Sequence, residues 1–420
     1  MSVGEVAADV SAATQPEGIP SDYRAGFVAA CRIDERLAQR YVAHTMIGDP
    51  LADQVIAFLS TLPPDQGQAM IRRGIETGAA GLADAPRVLR DFFAASEAVP
   101  AWFDAGATLP GCRAFHRHSQ MFLGAFVAAV LIEGFSTLIS KSFSITGRMV
   151  DQGVRRLKQN NRHVVEIFLP GGLERDGDGW ALSVRIRLMH ARIRQLLNVS
   201  EEWDRAAWGT PLSSAHIAYA TAVFSGLLLK RVGMLGVTLT EEERQSFMMV
   251  WRYAGHLMGV APDLLFEDEA GALRLCEIGG MCEPPPDFES QILANGLINS
   301  APIVAGITEP RARRKLVRKI YGVSRGLIGD ARADALGYPP RGRVGYLGAV
   351  RLKNRFDQML WRMSPALERR SRAAQFQQML EVSFYGQEGI DYRIAAHLHA
   401  EKDRLHTEKG RPHSETGGPS

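Results

Sequence analysis

From about Arg24 to Asn299, apolar residues recur every three or four positions, and the runs that alternate in strand fashion are few and short. That period is the mark of amphipathic helices, so the pattern predicts an all-α chain. Proline and glycine separate the periodic stretches at Pro63-Pro64, Pro100, Pro170-Gly171-Gly172, Gly209-Thr210-Pro211, Gly236 and Pro284-Pro285-Pro286. Many of the segments between them are about 12 to 25 residues long, ordinary helix lengths. Thr240-Glu241-Glu242-Glu243 has the form of a capping box and predicts a helix start before Phe247–Val260.

Two of the predicted helices gather polar chemistry. In Val154–Phe168 the apolar side is Val154, Leu157, Val164, Val165 and Phe168, with Arg156, Asn160 and His163 at i, i+4 and i+7 beside it. Periodicity favours a solvated face for that stripe, where it would carry no chemistry. Facing a cavity, it would offer a cation, an amide and an imidazole to polarise bound oxygen or substrate. A turn-rich loop, Leu169 to Asp178, brings the chain back, so that the next helix lies beside the first. Leu182, Ile186, Met189, Ile193, Leu196 and Leu197 give that helix one buried face, and His190 stands at its edge with Arg187 and Arg194 one turn to either side. A neutral imidazole so placed can ligate a metal while the guanidinium groups meet carboxylates, or it can be a hydrogen-bonded core residue.

Residues 121–139, MFLGAFVAAVLIEGFSTLI, approach the length of a bilayer span. Glu133 and two glycines interrupt the run and no second such stretch stands out, so it reads as a central buried helix; a membrane-docked segment is the alternative. Glu133 is then a hydrogen-bonded buried carboxylate or a functional group.

Composition changes little in this picture. The 420 residues are 46% hydrophobic and 23% charged, as in globular proteins, with a formal net charge of +3. The charge is uneven: from Glu309 onward there are 22 Lys+Arg against 12 Asp+Glu. These basic residues follow helical patterns and form no nucleic-acid motif, so nucleic acid is not an expected partner; peripheral membrane contact stays open. Cys31, Cys112, Cys276 and Cys282 include no C-x-x-C pair, and the N-terminus has no basic and apolar export signal, so a cytoplasmic location is expected. His116-x-His118 and His397-x-His399 lack acidic or cysteine companions for zinc.

Several blocks resemble the latex-clearing protein or rubber oxygenase family, which includes the MpaB-type oxygenases. They are FHRHSQMFLGAF (115–126), TGRMVDQGVRRLKQN (146–160), LPGGLERDGDGWALSVRIRLMHARIR (169–194), WGTPLSSAHIAYATAVFSGLLLKRVGMLGVTLTEEE (208–243) and WRYAGHLMGV (251–260), in order and at the family's spacing. The resemblance implies a helical, globin-like core and a b-type haem whose iron is held by His190, in a motif similar to R-x-R-L-x-H-A-x-x-R. Arg187 and Arg194 then stand beside the haem propionates. Arg156 matches a pocket arginine of the rubber oxygenases, while Asn160 and Gln159 replace a threonine and a lysine. The family's pocket glutamate has no counterpart sixteen residues before Arg156, where Ser140 stands, and Glu133 is the nearest upstream candidate. The implied chemistry is haem-dependent attack of dioxygen on a carbon–carbon double bond of an apolar small molecule, an isoprenoid or other unsaturated lipid. The alternative is a non-catalytic haem or lipid binding protein of the same fold. The expected organisation is an unstructured leader (1–23), a helical haem-binding domain (24–308), a basic helical extension (309–400) and an unstructured tail (401–420).

Overall fold

The computed structural model describes residues 18–146, 153–340, 345–364 and part of 366–379. Among these residues every regular element is helical, as the periodicity predicts. The helix Asp178–Leu197 packs against Pro50–Leu59, Gly153–Ile167 and Glu241–Leu257. Its burial differs from the single face expected. Trp180, Val184, Leu188, Ala191 and Leu197 are buried, and so are Arg187 and Arg194. The polar side can lie inside because Asp49, which caps Pro50–Leu59, and Asp53 within that helix neutralise the two arginines.

The loop before this helix is set by backbone approach. A Cβ on Gly172 would collide with the carbonyl of Glu166, and one on Gly179 would lie 2.7 Å from the carbonyl of Gly172. Only glycine fits such gaps. The Trp180 amide donates to the Gly172 carbonyl at 2.8 Å, which ties the helix start back to the loop. The capping box at Thr240 forms as expected, each side chain accepting from the other residue's amide.

The apolar run 121–139 is not one helix. It passes through Ser119–Ala125, a widened π turn Phe126–Val130 and Leu131–Phe135, then breaks at Ser136 before Ile139–Ile145. The expected lack of a second apolar stretch is also corrected: Ser214–Met234, 21 residues, is long and apolar enough to cross a bilayer. Most of it is buried inside the protein, as a core helix would be. It contains a second π turn, Val223–Leu227, which faces the first, with the Phe126 and Phe224 rings 5.2 Å apart. Such turns widen a helix locally and recur near functional sites.

Within the expected leader, Ser21–Tyr23 forms a helical turn, and Tyr23 is fully buried with its hydroxyl 2.9 Å from Nε2 of His216. Towards the other end of the described chain, Pro310–Ile328 is one helix. Its Gly322 and Gly326 give room to Tyr346 and Leu347 of the helix Tyr346–Met363, so glycine serves close helix packing here. Leu327 and Ile328 join the same buried cluster as the rest of the chain. His397, His399 and residues 401–420 lie outside the described residues.

Candidate active site

His190 stands on the helix Asp178–Leu197, which packs against Gly153–Ile167, the helix that carries Asn160 and His163. Nδ1 of His190 is buried and has no hydrogen-bond partner among the described residues. The same holds for Nδ2 of Asn160, Oδ1 of Asn161 and Nε1 of Trp251. Buried polar atoms are nearly always satisfied; those of His190, Asn160 and Trp251 stand around His163, whose ring acts on His190, and fit a ligand or water space. Desolvation, reinforced by Arg194 and His163 and opposed by Asp49, pushes the His190 imidazole down to about 3. His190 keeps some accessible surface although protein surrounds its ring, as expected of a group that faces an internal space. A neutral imidazole with a free ring nitrogen has the right form for a metal ligand.

His163 is the second imidazole of the group. Its Nε2 lies 2.9 Å from Oγ of Ser183, which donates to the Gly179 carbonyl at 2.7 Å. Burial holds the His163 ring down at about 4. The Trp251 ring crosses it edge to face at 6.3 Å, and beyond Trp251 the stacked rings of Phe168 and Phe247, 4.7 Å apart, wall the region with apolar surface. The stripe of Asn160 and His163 is thus buried or half-buried, contrary to the solvated reading that periodicity favours. Arg156 stands one turn before Asn160 on Gly153–Ile167; its side chain lies outside the described residues.

Both arginines beside His190 are engaged. Arg187 donates from Nε and Nη2 to the two carboxylate oxygens of Asp49 at 2.5 and 3.0 Å. Arg194 pairs with Asp53 through Nη2 at 2.7 Å and donates to the Leu212 carbonyl at 2.6 Å. Asp49 also caps the helix Pro50–Leu59 by accepting from the Ala52 amide. The fit to a haem is therefore divided: His190 suits an iron, whereas the guanidinium groups expected beside propionates already hold protein carboxylates.

Glu133 is elsewhere in the network. It receives Nε and Nη2 of the half-buried Arg231, the former at 3.1 Å, and its charge acts on Tyr219, Cys276 and Arg332. A carboxylate held in two-point contact by an arginine has an ion-pairing task, which corrects its placement as a base beside the histidine. A cavity of about 350 Å³ opens near this second cluster, lined by Tyr219, Arg332, Glu283, Met281 and Ser136 among others, and none of its lining residues comes from the two helices that carry His163 and His190. Glu283 is fixed there by the hydroxyls of Tyr41 at 2.7 Å and Tyr23 at 3.2 Å.

Sequence reasoning missed Asp49, Asp53, Ser183 and Trp251. Asp49 and Asp53 sit four apart before and within an apolar segment, which marks them as a pair on one face; nothing in the local pattern says which arginines they meet.

The all-helical fold and the buried, neutral histidine define a helical protein with a potential metal-ligand site. The family model for "ER-bound oxygenase mpaB/B'/Rubber oxygenase, catalytic domain" matches residues 113–355, more than half of the chain, and the chain belongs to that family. The Rubber oxygenase of Streptomyces sp. (strain K30) is 23% identical over 190 residues, 43% of this chain and 45% of that relative, so the matched part spans somewhat under half of the relative's length. A solved structure of latex clearing protein LCP in the closed state superposes with a TM-score of 0.57 at 18% identity, covering 90% of this chain and 93% of that one, a likeness of fold.

Proposed function

We propose that the protein is a haem b-dependent oxygenase that acts on an apolar unsaturated small molecule, an isoprenoid or lipid. The observation that carries this reading is the buried, unpartnered, neutral imidazole of His190 within the part of the chain that matches an oxygenase catalytic domain. His190 would hold the iron. Haem, when bound, would supply dioxygen chemistry directed at a carbon–carbon double bond.

The chain's own residues would do the rest. His163, fixed by Ser183 and kept neutral by burial, offers a ring nitrogen but no charge. The Asn160 amide presents an unpartnered donor from the same helix, available to a polar group of the substrate or oxidant. Arg156, one turn before it, would stabilise negative charge that develops during reaction. The rings of Phe168, Phe247 and Trp251 would exclude water and favour an apolar substrate.

A second reading is a non-catalytic haem or lipid binding protein. Glu133 favours it, because Arg231 takes up the carboxylate that was the candidate base. Oxygen uptake with a panel of isoprenoids and unsaturated fatty acids separates the two, comparing wild type with Arg156→Ala at equal haem occupancy. The oxygenase reading expects uptake with at least one compound and a fall of tenfold or more in the variant. No uptake by haem-loaded wild type with any compound favours the binding protein, and equal rates remove the role of Arg156.

A further inference from the structure

The helix Tyr346–Met363 carries two apolar faces, and one of them has no partner among the described residues. Its inward side holds Leu347 and Val350 against the core. The same side is tied by Asn354 to the Leu235 carbonyl at 2.8 Å and by Gln358 to the Gly236 carbonyl at 2.9 Å. On the other side Leu352, Phe356, Met359 and Met363 are 72%, 53%, 50% and 75% exposed. At about 100° per residue these four fall within an arc of about 60°, almost opposite the anchored face. Single exposed hydrophobic residues are ordinary, but four large ones in steps of four, three and four along one helix form a continuous stripe.

Charge identifies the partner. Positions 355 and 362 are arginines along one flank of the stripe, and Arg355 is exposed, whereas Arg351 is turned to the body and donates from Nε to the Met234 carbonyl at 2.8 Å. On the other flank Lys353 is paired with Asp357 at 2.5 Å. From 346 to 370 the chain has six Lys+Arg against two Asp+Glu, within a region from Glu309 that is itself strongly basic. An apolar stripe bordered by arginines, on a helix held flat against the body of the protein, matches the arrangement by which helices lie in the interface of an anionic bilayer. The long arginine stems can cover apolar surface while their heads reach lipid phosphates. We propose that the outward face of Tyr346–Met363 docks on anionic phospholipid surfaces, with Leu352, Phe356, Met359 and Met363 entering the headgroup boundary. This docking is independent of the haem reading, because none of its residues belongs to the His190 group.

The test is flotation of the full chain with vesicles of phosphatidylcholine alone, or with 30% phosphatidylglycerol. Wild type should float with the anionic vesicles, and binding should fall at least tenfold in phosphatidylcholine alone or at high salt. Replacing Leu352, Phe356, Met359 and Met363 together by serine should reduce anionic-vesicle binding at least tenfold with an unchanged helical circular dichroism spectrum. Arg355→Glu, which keeps the stripe, should reduce it severalfold. Wild type that stays in solution with anionic vesicles, or a serine variant that floats as well as wild type, would overturn the proposal. So would light scattering that shows a wild-type dimer split by the serine substitutions, since a second copy of the chain would then be the occupant.

Discussion

The two buried imidazoles, His190 and His163, should give the protein a pH-dependent stability. Both are neutral in the folded chain, held down at about 3 and about 4, and regain an ordinary affinity for protons, near 6.5, on unfolding. Below about pH 6.5 the unfolded chain therefore binds more protons than the native one, so stability should be fully present above that pH and fall as pH drops toward the folded values. For each histidine the slope is about 1.4 kcal/mol per pH unit. Urea unfolding of wild type and His190→Leu at pH 5 and 7 checks this: the variant should lose roughly half of the part of the slope that the pair supplies. A slope equal to wild type would mean that His190 is not kept neutral by its site. At the same scale, His190→Ala should remove haem while leaving the helical spectrum intact, because Ile193, Leu188 and Leu197 maintain the packing of the helix. Arg187→Gln should lower the stability of haem-free and haem-loaded protein alike, as expected of a partner for Asp49. Loss of haem without loss of stability would restore its role toward a propionate.

Among the elements, the pairing of Asp178–Leu197 with Pro50–Leu59 is the one on which the site most depends. Asp49→Ala leaves the Arg187 charge buried and unpaired and removes a helix cap, so it should cost on the order of 3–5 kcal/mol in urea unfolding. A double variant, Asp49→Leu with Arg187→Met, should recover most of that loss, because an apolar pair needs no charge compensation. Failure to recover would show that packing, not charge, is at stake. Local periodicity made these helices legible, and the glycines of the 169–179 loop located the return between the histidine helix and its neighbour. The buried polar side of Asp178–Leu197 was not legible, since a helix with four arginines, at 185, 187, 192 and 194, looks amphipathic until the carboxylates that meet Arg187 and Arg194 are found far away in sequence. The apolar run 121–139 misled for a related reason: composition gives the burial of a segment, whereas the break at Ser136 and the π turn depend on packing against Ser214–Met234.

For the whole molecule, the order of family-like blocks made the fold and family readable, and it singled out His190. It did not locate Glu133, whose partner Arg231 is on a helix nearly a hundred residues later. Nor did charge asymmetry alone identify the exposed stripe of Tyr346–Met363, because the same basic composition serves a solvated surface equally well. The central claim concerns one atom pair, the His190 ring nitrogen and an iron, and it is tested by pyridine haemochrome assay. Protein purified from haem-supplemented cells, and the same protein reconstituted with haemin, should carry one b-type haem per chain, with His190→Ala carrying almost none. Haem-free wild type after reconstitution, or full occupancy in His190→Ala, would contradict the account.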